Sequence, residues 1–217
     1  MIKVSKNLQG GFGSARDQGL RSTCLLFTVS DLNRHANAIG EALSVDYLAH
    51  HVEQLGHSWR GGIHLSAANE ALTKAGQPDE LKYPYDGNDE DRPLSKPGKI
   101  TPPFYSATLE SKSPRFSWVL DTINIGAPVG LLLQVKNCLF LPVNGVVEDK
   151  PDKFLGRHAV VGVGAGEHKD SGESHVLIRN SWGAHWGSNG YAWVPESYFS
   201  TGLFGAFLLE NGTVLGQ

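Results

Sequence analysis

The segment DQGLRSTCLLFTVS, residues 17–30, contains Cys24, one of only two cysteines in the 217-residue chain, and Gln18 lies six residues before it. The apolar spacing that follows predicts a helix from about Thr23 to Ala38. A thiol at the start of a helix faces backbone N–H groups and the positive end of the helix dipole, and both favour the thiolate. Most free cysteines are instead small buried apolar residues, so a nucleophilic Cys24 requires a base elsewhere in the chain.

The composition is that of a globular protein, with 40% hydrophobic and 19% charged residues. A chain of this length can bury a core as one domain or as two small subdomains. The net charge of −3 gives no electrostatic argument for nucleic acid or for an anionic membrane. No apolar run is long enough for a transmembrane helix. We therefore expect neither nucleic acid nor a membrane as a partner.

Cysteine usage and the N-terminal sequence predict where the protein works. Two cysteines cannot make a disulfide framework, and one of them is needed as a thiol, so a reducing compartment is expected. The N-terminus is polar and Gly-rich, without the apolar region of a signal peptide. These features predict a cytoplasmic protein. The alternative is delivery by a secretion route that uses no cleavable signal peptide.

Helical periodicity dominates the first half of the chain and strand-like runs dominate the second. Further helices are predicted at 43–56, with Ser44 as N-cap, at 65–76, and around 114–125. Short β-branched or aromatic runs separated by turn residues predict strands in PVGLLLQV, HAVVGVGAG, SHVLIRNSW, GYAWVP and FGAFLLEN. The pattern predicts an α+β fold without internal repeats.

Two residues of the second half can complete a reactive site with Cys24. His158 opens a predicted strand and Asn180 ends another. A Cys–His pair makes an activated nucleophile, and a neutral carbonyl behind the imidazole holds its ring and tautomer without adding a charge. The Gln18 amide and the Cys24 backbone N–H would together form a hole for a tetrahedral oxyanion.

The chain resembles the papain-like cysteine peptidases over about residues 12–195. The residues that carry the resemblance occur in the family's order: Gln18-Gly19, Ser22-Thr23-Cys24, Phe27, Gly61-Gly62, Tyr83-Pro84-Tyr85, Gly87, His158-Ala159-Val160, Asn180-Ser181-Trp182-Gly183, Trp186-Gly187 and Asn189-Gly190-Tyr191. The resemblance implies one catalytic domain over 1–217. Its helical left subdomain would cover about 12–100, and an antiparallel β-barrel-like right subdomain 1–11 and 101–217, with the active-site cleft between them.

By this resemblance Cys24 is the nucleophile, His158 the general base and acid, Asn180 the residue that orients the imidazole, and Gln18 the oxyanion donor. Trp182 would shield the Asn–His hydrogen bond and line the leaving-group side.

The resemblance also implies a substrate-binding set in two parts. The Gly61-Gly62 pair would offer its backbone to the substrate, with Gly62 pairing in antiparallel fashion. Ile63 and Leu132 would shape an apolar pocket for the second residue of the substrate.

Departures from the family pattern identify residues specific to this chain. Arg21 stands where the family often has a half-cystine, and the partner position aligns with Trp59. We expect Arg21 to stack on Trp59, an interaction worth roughly 1 kcal/mol. Arg157 precedes His158 where the family usually has Asp or Asn; it would oppose the imidazolium or select acidic substrates. The pattern is that of a disulfide-poor, bacterial-type member without a propeptide.

Other sequence features are given non-catalytic interpretations. His50, His51, His57 and His64 lack the spacing of a zinc motif, so no metal is expected, and no cofactor motif is found. GVGAG at 162–166 is interpreted as a hairpin turn rather than a phosphate-binding loop.

The predicted function is hydrolysis of peptide bonds through a Cys24 thiolate–His158 imidazolium pair and an acyl-enzyme. The alternatives are a transpeptidase or cyclase that uses the same acyl-enzyme, and a non-catalytic peptide-binding module. The expected partners are a peptide or protein substrate and a separate inhibitor or activator protein.

Overall fold

The computed structural model describes residues 1–89 and 94–216. The elements, in chain order, are β1 (Ile2–Asn7), α1 (Cys24–Ala36), α2 (Val45–Gln54), α3 (Leu65–Ala75), β2 (Phe104–Lys112), α4 (Phe116–Asn124), β3 (Val129–Val135), α5 (Asn137–Phe140), β4 (Gly156–His168), β5 (Ser174–Arg179), β6 (Tyr191–Pro195), α6 (Glu196–Gly202) and β7 (Leu203–Leu215), with 3₁₀ turns at Gln9–Gly11 and Glu80–Lys82. The predicted α+β composition is confirmed.

The chain divides into two compact units. The first comprises Met1–Asp17 and Ser111–Leu208. The second comprises the described residues of Gln18–Glu110 and of the segment that begins at Leu209. The proposed division into helical and β subdomains at 12–100, 1–11 and 101–217 stays a prediction.

The second unit contains the three helices predicted from periodicity and capping. The Ser44 hydroxyl accepts a hydrogen bond from the Tyr47 backbone N–H at 3.1 Å, so Ser44 caps α2 as predicted. Gly76 ends α3 with a φ of 64°, in the left-handed region that favours glycine. Residues 25–34 of α1 are all buried. The helix that begins at Cys24 is therefore anchored along almost its whole length.

Strand β2 was not predicted. It is held by two backbone hydrogen bonds between Gln77 and Tyr105, at 2.7 and 2.8 Å, and it neighbours β7 in the sheet. Its sequence, FYSATLESK, mixes polar and apolar residues without clear alternation.

The first unit is built on antiparallel strands in the order β7-β3-β4-β5-β6, with β1 also paired to β4. Its core contains aliphatic side chains from the strands and from α4, including Val119, Ile123, Leu131, Leu133, Val160, Val176 and Ile178. The central strand β4 is buried continuously over residues 158–166. His158 therefore starts the most enclosed segment of the sheet.

The hairpin-turn interpretation of residues 162–166 is wrong, because GVGAG lies within β4. A Cβ on Gly166 would lie 2.7 Å from Ile2 Cγ2 and 2.9 Å from the Lys3 carbonyl oxygen. The glycine is needed so that β1 can approach β4 closely. The turn of this hairpin lies between His168 and Ser174, in the polar segment EHKDSGE.

Candidate active site

Cys24 is the first residue of α1, directly after the N-cap residue Thr23. Its side chain is half-buried, and neither Cys24 nor Cys138 is in a disulfide. The 13-residue helix α1 directs the positive end of its dipole toward this position. The predicted place of Cys24 at the start of a helix is confirmed.

Gln18, the predicted oxyanion donor, is buried and fixed by two hydrogen bonds. Its Nε2 donates to the Arg21 carbonyl oxygen at 2.7 Å. Its own backbone carbonyl accepts from the Tyr85 hydroxyl at 2.8 Å. The same hydroxyl lies 2.7 Å from Thr23 Oγ1. The loop that leads into Cys24 is therefore held at both ends by one tyrosine.

The Gly61-Gly62 pair is exposed, and Ile63 is half-buried. Both glycines have positive φ, 75° and 106°, in the region that residues with a Cβ rarely adopt. No atom lies within 4 Å of a Cβ built on either glycine. The space beside both glycines is therefore empty of protein atoms, and their role in substrate binding stays a prediction.

His158 and Asn180 form a defined pair in the first unit. His158 Nε2 lies 2.6 Å from Asn180 Oδ1, and the backbone N–H of Ser181 donates to the same oxygen at 2.8 Å. Because the Ser181 N–H needs an acceptor, the oxygen of the Asn180 amide must face it. The imidazole consequently carries its proton on Nε2, which leaves Nδ1 with the basic lone pair.

Trp182 covers this pair. Its ring stacks on His158, with centroids 4.5 Å apart, and on Phe140, at 5.1 Å and an interplanar angle of 4°. Trp186 meets Trp182 edge-on at 5.8 Å and donates its indole N–H to the Leu139 carbonyl at 2.9 Å. His158 and Asn180, at 5% and 3% exposed, are both buried, and the shielding role of Trp182 stays a prediction.

Burial lowers the pKa of His158 to about 4, and the hydrogen bond to Asn180 only partly opposes this effect. Arg157 was expected to oppose the imidazolium, but it does not contribute to this lowering of the His158 pKa. Without a negative partner the imidazole is neutral at pH 7. An imidazolium at this position therefore requires an anion beside it.

The structure gives Arg157 and Leu132 different surroundings. Arg157 is exposed, and its guanidinium carbon lies 5.2 Å from the centroid of the Phe204 ring. Successive side chains of a strand point to opposite faces, so Arg157 and His158 leave β4 in opposite directions. Leu132 is half-buried against Gly205, where a Cβ would come within 2.7 Å of Leu132 Cδ1.

Each unit thus assembles part of the predicted site. The second unit contains Cys24, Gln18, Gly61, Gly62 and Ile63, and the first contains His158, Asn180, Trp182, Leu132 and Arg157.

The predicted stack of Arg21 on Trp59 is confirmed, with the guanidinium carbon 5.0 Å from the ring centroid. The sequence analysis missed Asp46, which forms a bidentate ion pair with Arg21 at 2.8 and 3.0 Å. It also missed the Tyr85 hydroxyl bridge and the position of Phe140 on Trp182. Asp46 stands in the first turn of α2, where acidic residues are common, so nothing local distinguished it.

Within residues 1–89 and 94–216, no three His, Cys, Asp or Glu side chains are grouped so that they could hold a metal ion. In the same part of the chain, no helix combines the length and the apolar character needed to cross a bilayer.

Comparison with known sequences matches residues 11–202 to the family described as papain family cysteine protease. The chain belongs to the papain family. Mouse pro-cathepsin H is 27% identical over 200 residues, which cover 87% of this chain and 58% of that protein. Mouse cathepsin J is 29% identical over 148 residues, 64% of this chain and 42% of the relative. The chain thus spans less than two thirds of the length of either relative.

Solved structures confirm the papain-like fold. Xylellain, a cysteine protease from Xylella fastidiosa, has a TM-score of 0.75 at 22% identity, covering 95% of this papain-family chain and 85% of its own. Digestive procathepsin L 3 of the Tenebrio molitor larval midgut has a TM-score of 0.73 at 21% identity, covering 95% and 69%.

Proposed function

We propose that this papain-family chain hydrolyses peptide bonds through an acyl-enzyme on Cys24. The observation that carries the proposal is the 2.6 Å hydrogen bond between His158 Nε2 and Asn180 Oδ1, which leaves Nδ1 as the base. A Cys thiol at the start of α1 supplies the matching nucleophile.

The reaction we propose has two halves. The Cys24 sulfur attacks the substrate carbonyl carbon, and the negative oxygen that forms accepts hydrogen bonds from the Gln18 amide and the Cys24 backbone N–H. His158 then gives its proton to the leaving nitrogen, so the C–N bond breaks and an amine departs. Water attacks the thioester while His158 takes one of its protons, and the C–S bond breaks to release the acid and return the thiol.

The proposed reaction depends on the charge state of Cys24 and His158, because it starts from a thiolate and an imidazolium. Burial disfavours the imidazolium, as the lowered pKa of His158 indicates. A Cys24 thiolate beside the ring would offset this cost, because opposite charges favour each other's charged form. We therefore propose that the two residues titrate as a coupled pair and not as independent groups.

The test is the pH dependence of Cys24 alkylation by iodoacetamide, in the wild type and in His158→Ala. We expect fast labelling well below the free-thiol pKa of about 8.5, lost in the variant. His168→Ala is the matched control, because His168 lies on the same strand but contacts the N-terminal amino group. If labelling rises only near that pKa and is the same in His158→Ala, the Cys24–His158 ion pair is refuted.

The substrate-binding proposal rests on the exposed backbone of Gly61-Gly62 and on two half-buried aliphatic residues, Ile63 and Leu132. Peptides with an apolar second residue are the expected substrates. Product mass distinguishes hydrolysis, which adds water, from transpeptidation, which joins two fragments.

The state of the two cysteines bears on the compartment in which the protein works. We propose that it cleaves peptide or protein substrates in a reducing compartment, since both of its cysteines are outside disulfides. An inhibitor or activator protein encoded separately is the proposed means of control.

A further inference from the structure

The loop between Gln18 and Cys24 is organised by the Arg21 backbone carbonyl. This oxygen accepts hydrogen bonds from Gln18 Nε2 at 2.7 Å and from the Thr23 backbone N–H at 2.8 Å. One atom therefore determines both the orientation of the Gln18 amide and the position of the residue that precedes the nucleophile. Thr23 is also held by the Tyr85 hydroxyl at 2.7 Å and by the Phe27 backbone N–H, so a displacement of Arg21 acts mainly on the Gln18 amide.

The side chain of Arg21 is fixed by the buried Asp46 carboxylate. Arg21 Nη1 lies 2.8 Å from Asp46 Oδ1 and 3.0 Å from Oδ2, and the two side chains are 2% and 5% exposed. Trp59 lies over the guanidinium, and Arg21 Nε donates to the Asp89 carbonyl at 3.2 Å. Asp46 Oδ2 also accepts from the Asp86 backbone N–H at 3.1 Å. The carboxylate thereby ties α2 and the loop near residue 86 to Arg21.

We propose that the Arg21–Asp46 ion pair is a positioning device for the oxyanion donor: it fixes the Arg21 carbonyl, and that carbonyl orients the Gln18 amide toward the reacting substrate oxygen. A carboxamide NH₂ group has two N–H donors, so one can stay on Arg21 while the other meets the oxyanion. Asp46 and Arg21 are positioning residues, since they act through Gln18. The inference rests on the proposed function, because an oxyanion forms only in acyl transfer.

A purely structural ion pair would stabilise the fold without affecting one particular step, and two readouts separate the cases. Alkylation of Cys24 by iodoacetamide displaces iodide at carbon and forms no oxyanion. Hydrolysis of a peptide anilide, and inhibition by a peptide aldehyde that forms a tetrahedral adduct, both depend on the oxyanion hole. A positioning role predicts losses in the second group of measurements and not in the first.

The experiment compares Asp46→Asn and Gln18→Ala with the double variant. We expect Gln18→Ala to lower kcat about 10²-fold, as loss of one oxyanion donor does. Asp46→Asn should lower kcat about 10-fold through misplacement of the amide and weaken aldehyde inhibition in parallel. The double variant should be no slower than Gln18→Ala alone, since both changes act on one interaction. Alkylation should stay within about 2-fold of the wild type in each variant.

Two further variants distinguish a positioning effect from a general loss of the folded protein. Arg21→Lys keeps the buried charge but has neither the Nε donor that reaches the Asp89 carbonyl nor the planar guanidinium that lies on Trp59, so it should also slow hydrolysis while alkylation is retained. Asp149→Asn is the matched control: it removes a half-buried carboxylate from another ion pair, with the buried Lys136 at 2.7 Å, and should leave kcat unchanged.

Independent effects of Gln18→Ala and Asp46→Asn, which multiply in the double variant, would overturn the positioning role. Equal losses in alkylation and hydrolysis would do the same. A wild-type protein that cleaves no peptide would instead overturn the proposed function, and the positioning role with it.

Discussion

The residues around Cys24 and those around His158 are fixed by opposite kinds of force. The Gln18–Thr23 loop is irregular backbone, held by hydrogen bonds to Arg21 and Tyr85 and by a buried ion pair. His158 lies in the central strand of a sheet, and its ring is held by one amide and a stack of aromatic rings. Backbone hydrogen bonds between neighbouring strands fix the position of each strand residue. A loop has no such regular pattern, so other parts of the chain must supply polar contacts to its backbone.

The difference has an energetic meaning. Stacked rings and aliphatic side chains lose little stability when a neighbour is replaced by an apolar residue of similar volume. A buried charge whose partner is removed keeps its full desolvation cost. The Gln18–Thr23 loop should therefore be much more sensitive to single polar substitutions than the surroundings of His158.

The largest effect expected from this comparison is on stability. Asp46→Asn should lower the free energy of unfolding by about 3–5 kcal/mol, because it removes the carboxylate that forms an ion pair with the buried Arg21 guanidinium. Urea denaturation measures the change.

The double variant Arg21→Met/Asp46→Leu sharpens this prediction, because apolar residues of similar volume often replace a buried pair at no cost. We expect it to be about as stable as the wild type and still impaired in hydrolysis. Wild-type stability in Asp46→Asn would contradict the desolvation cost that this prediction assigns to Arg21.

The second prediction concerns His158 and pH. Its folded pKa of about 4 lies below the ordinary value near 6.5, so the unfolded chain binds more protons between these values. Stability is then complete above about pH 6.5 and falls by about 3 kcal/mol as the pH drops to 4. The measurement is urea denaturation from pH 7 to 4 in Cys24→Ala, where no thiolate can retain the proton on the ring.

The control is Cys24→Ala/His158→Gln, in which this part of the pH dependence should disappear. An identical slope in both variants would mean that His158 is not the group responsible. A flatter slope with Cys24 restored would be the equilibrium signature of the ion pair.

The smallest expected effect is that of Arg157→Ala. Arg157 lies on Phe204, on the face of β4 opposite His158, so its loss should remove a surface cation–π contact worth about 0.5–1 kcal/mol. We expect less than about a 2-fold change in the ratio of cleavage between acidic and neutral peptides, measured with a peptide library. A larger fall for acidic peptides would show that Arg157 selects substrates.

Local sequence was sufficient for much of this structure. Helix periodicity and the Ser44 cap located α2 and α3, and α1 began within one residue of its predicted start and ended two residues before its predicted end. The stack of Arg21 on Trp59 followed from two simultaneous departures from a family pattern.

The failures share a physical cause, which is contact between distant segments. The glycines of 162–166 suit a turn, and only the approach of β1 explains them in mid-strand. Asp46 is an ordinary helix-start residue until Arg21, 25 positions earlier, is placed against it. The stack of Phe140 on Trp182 joins residues 42 positions apart, a pairing that no local periodicity encodes.

The Arg21–Asp46 pair also changes the chemical variable to which this part of the fold responds. A covalent sulfur bridge at such a position would open or close with the thiol reduction potential of its surroundings. An ion pair is indifferent to electron donors but depends on proton activity, and burial raises the pKa of Asp46 above its usual range. Glutathione therefore cannot break the Arg21–Asp46 ion pair, whereas acidification can break it by protonating Asp46.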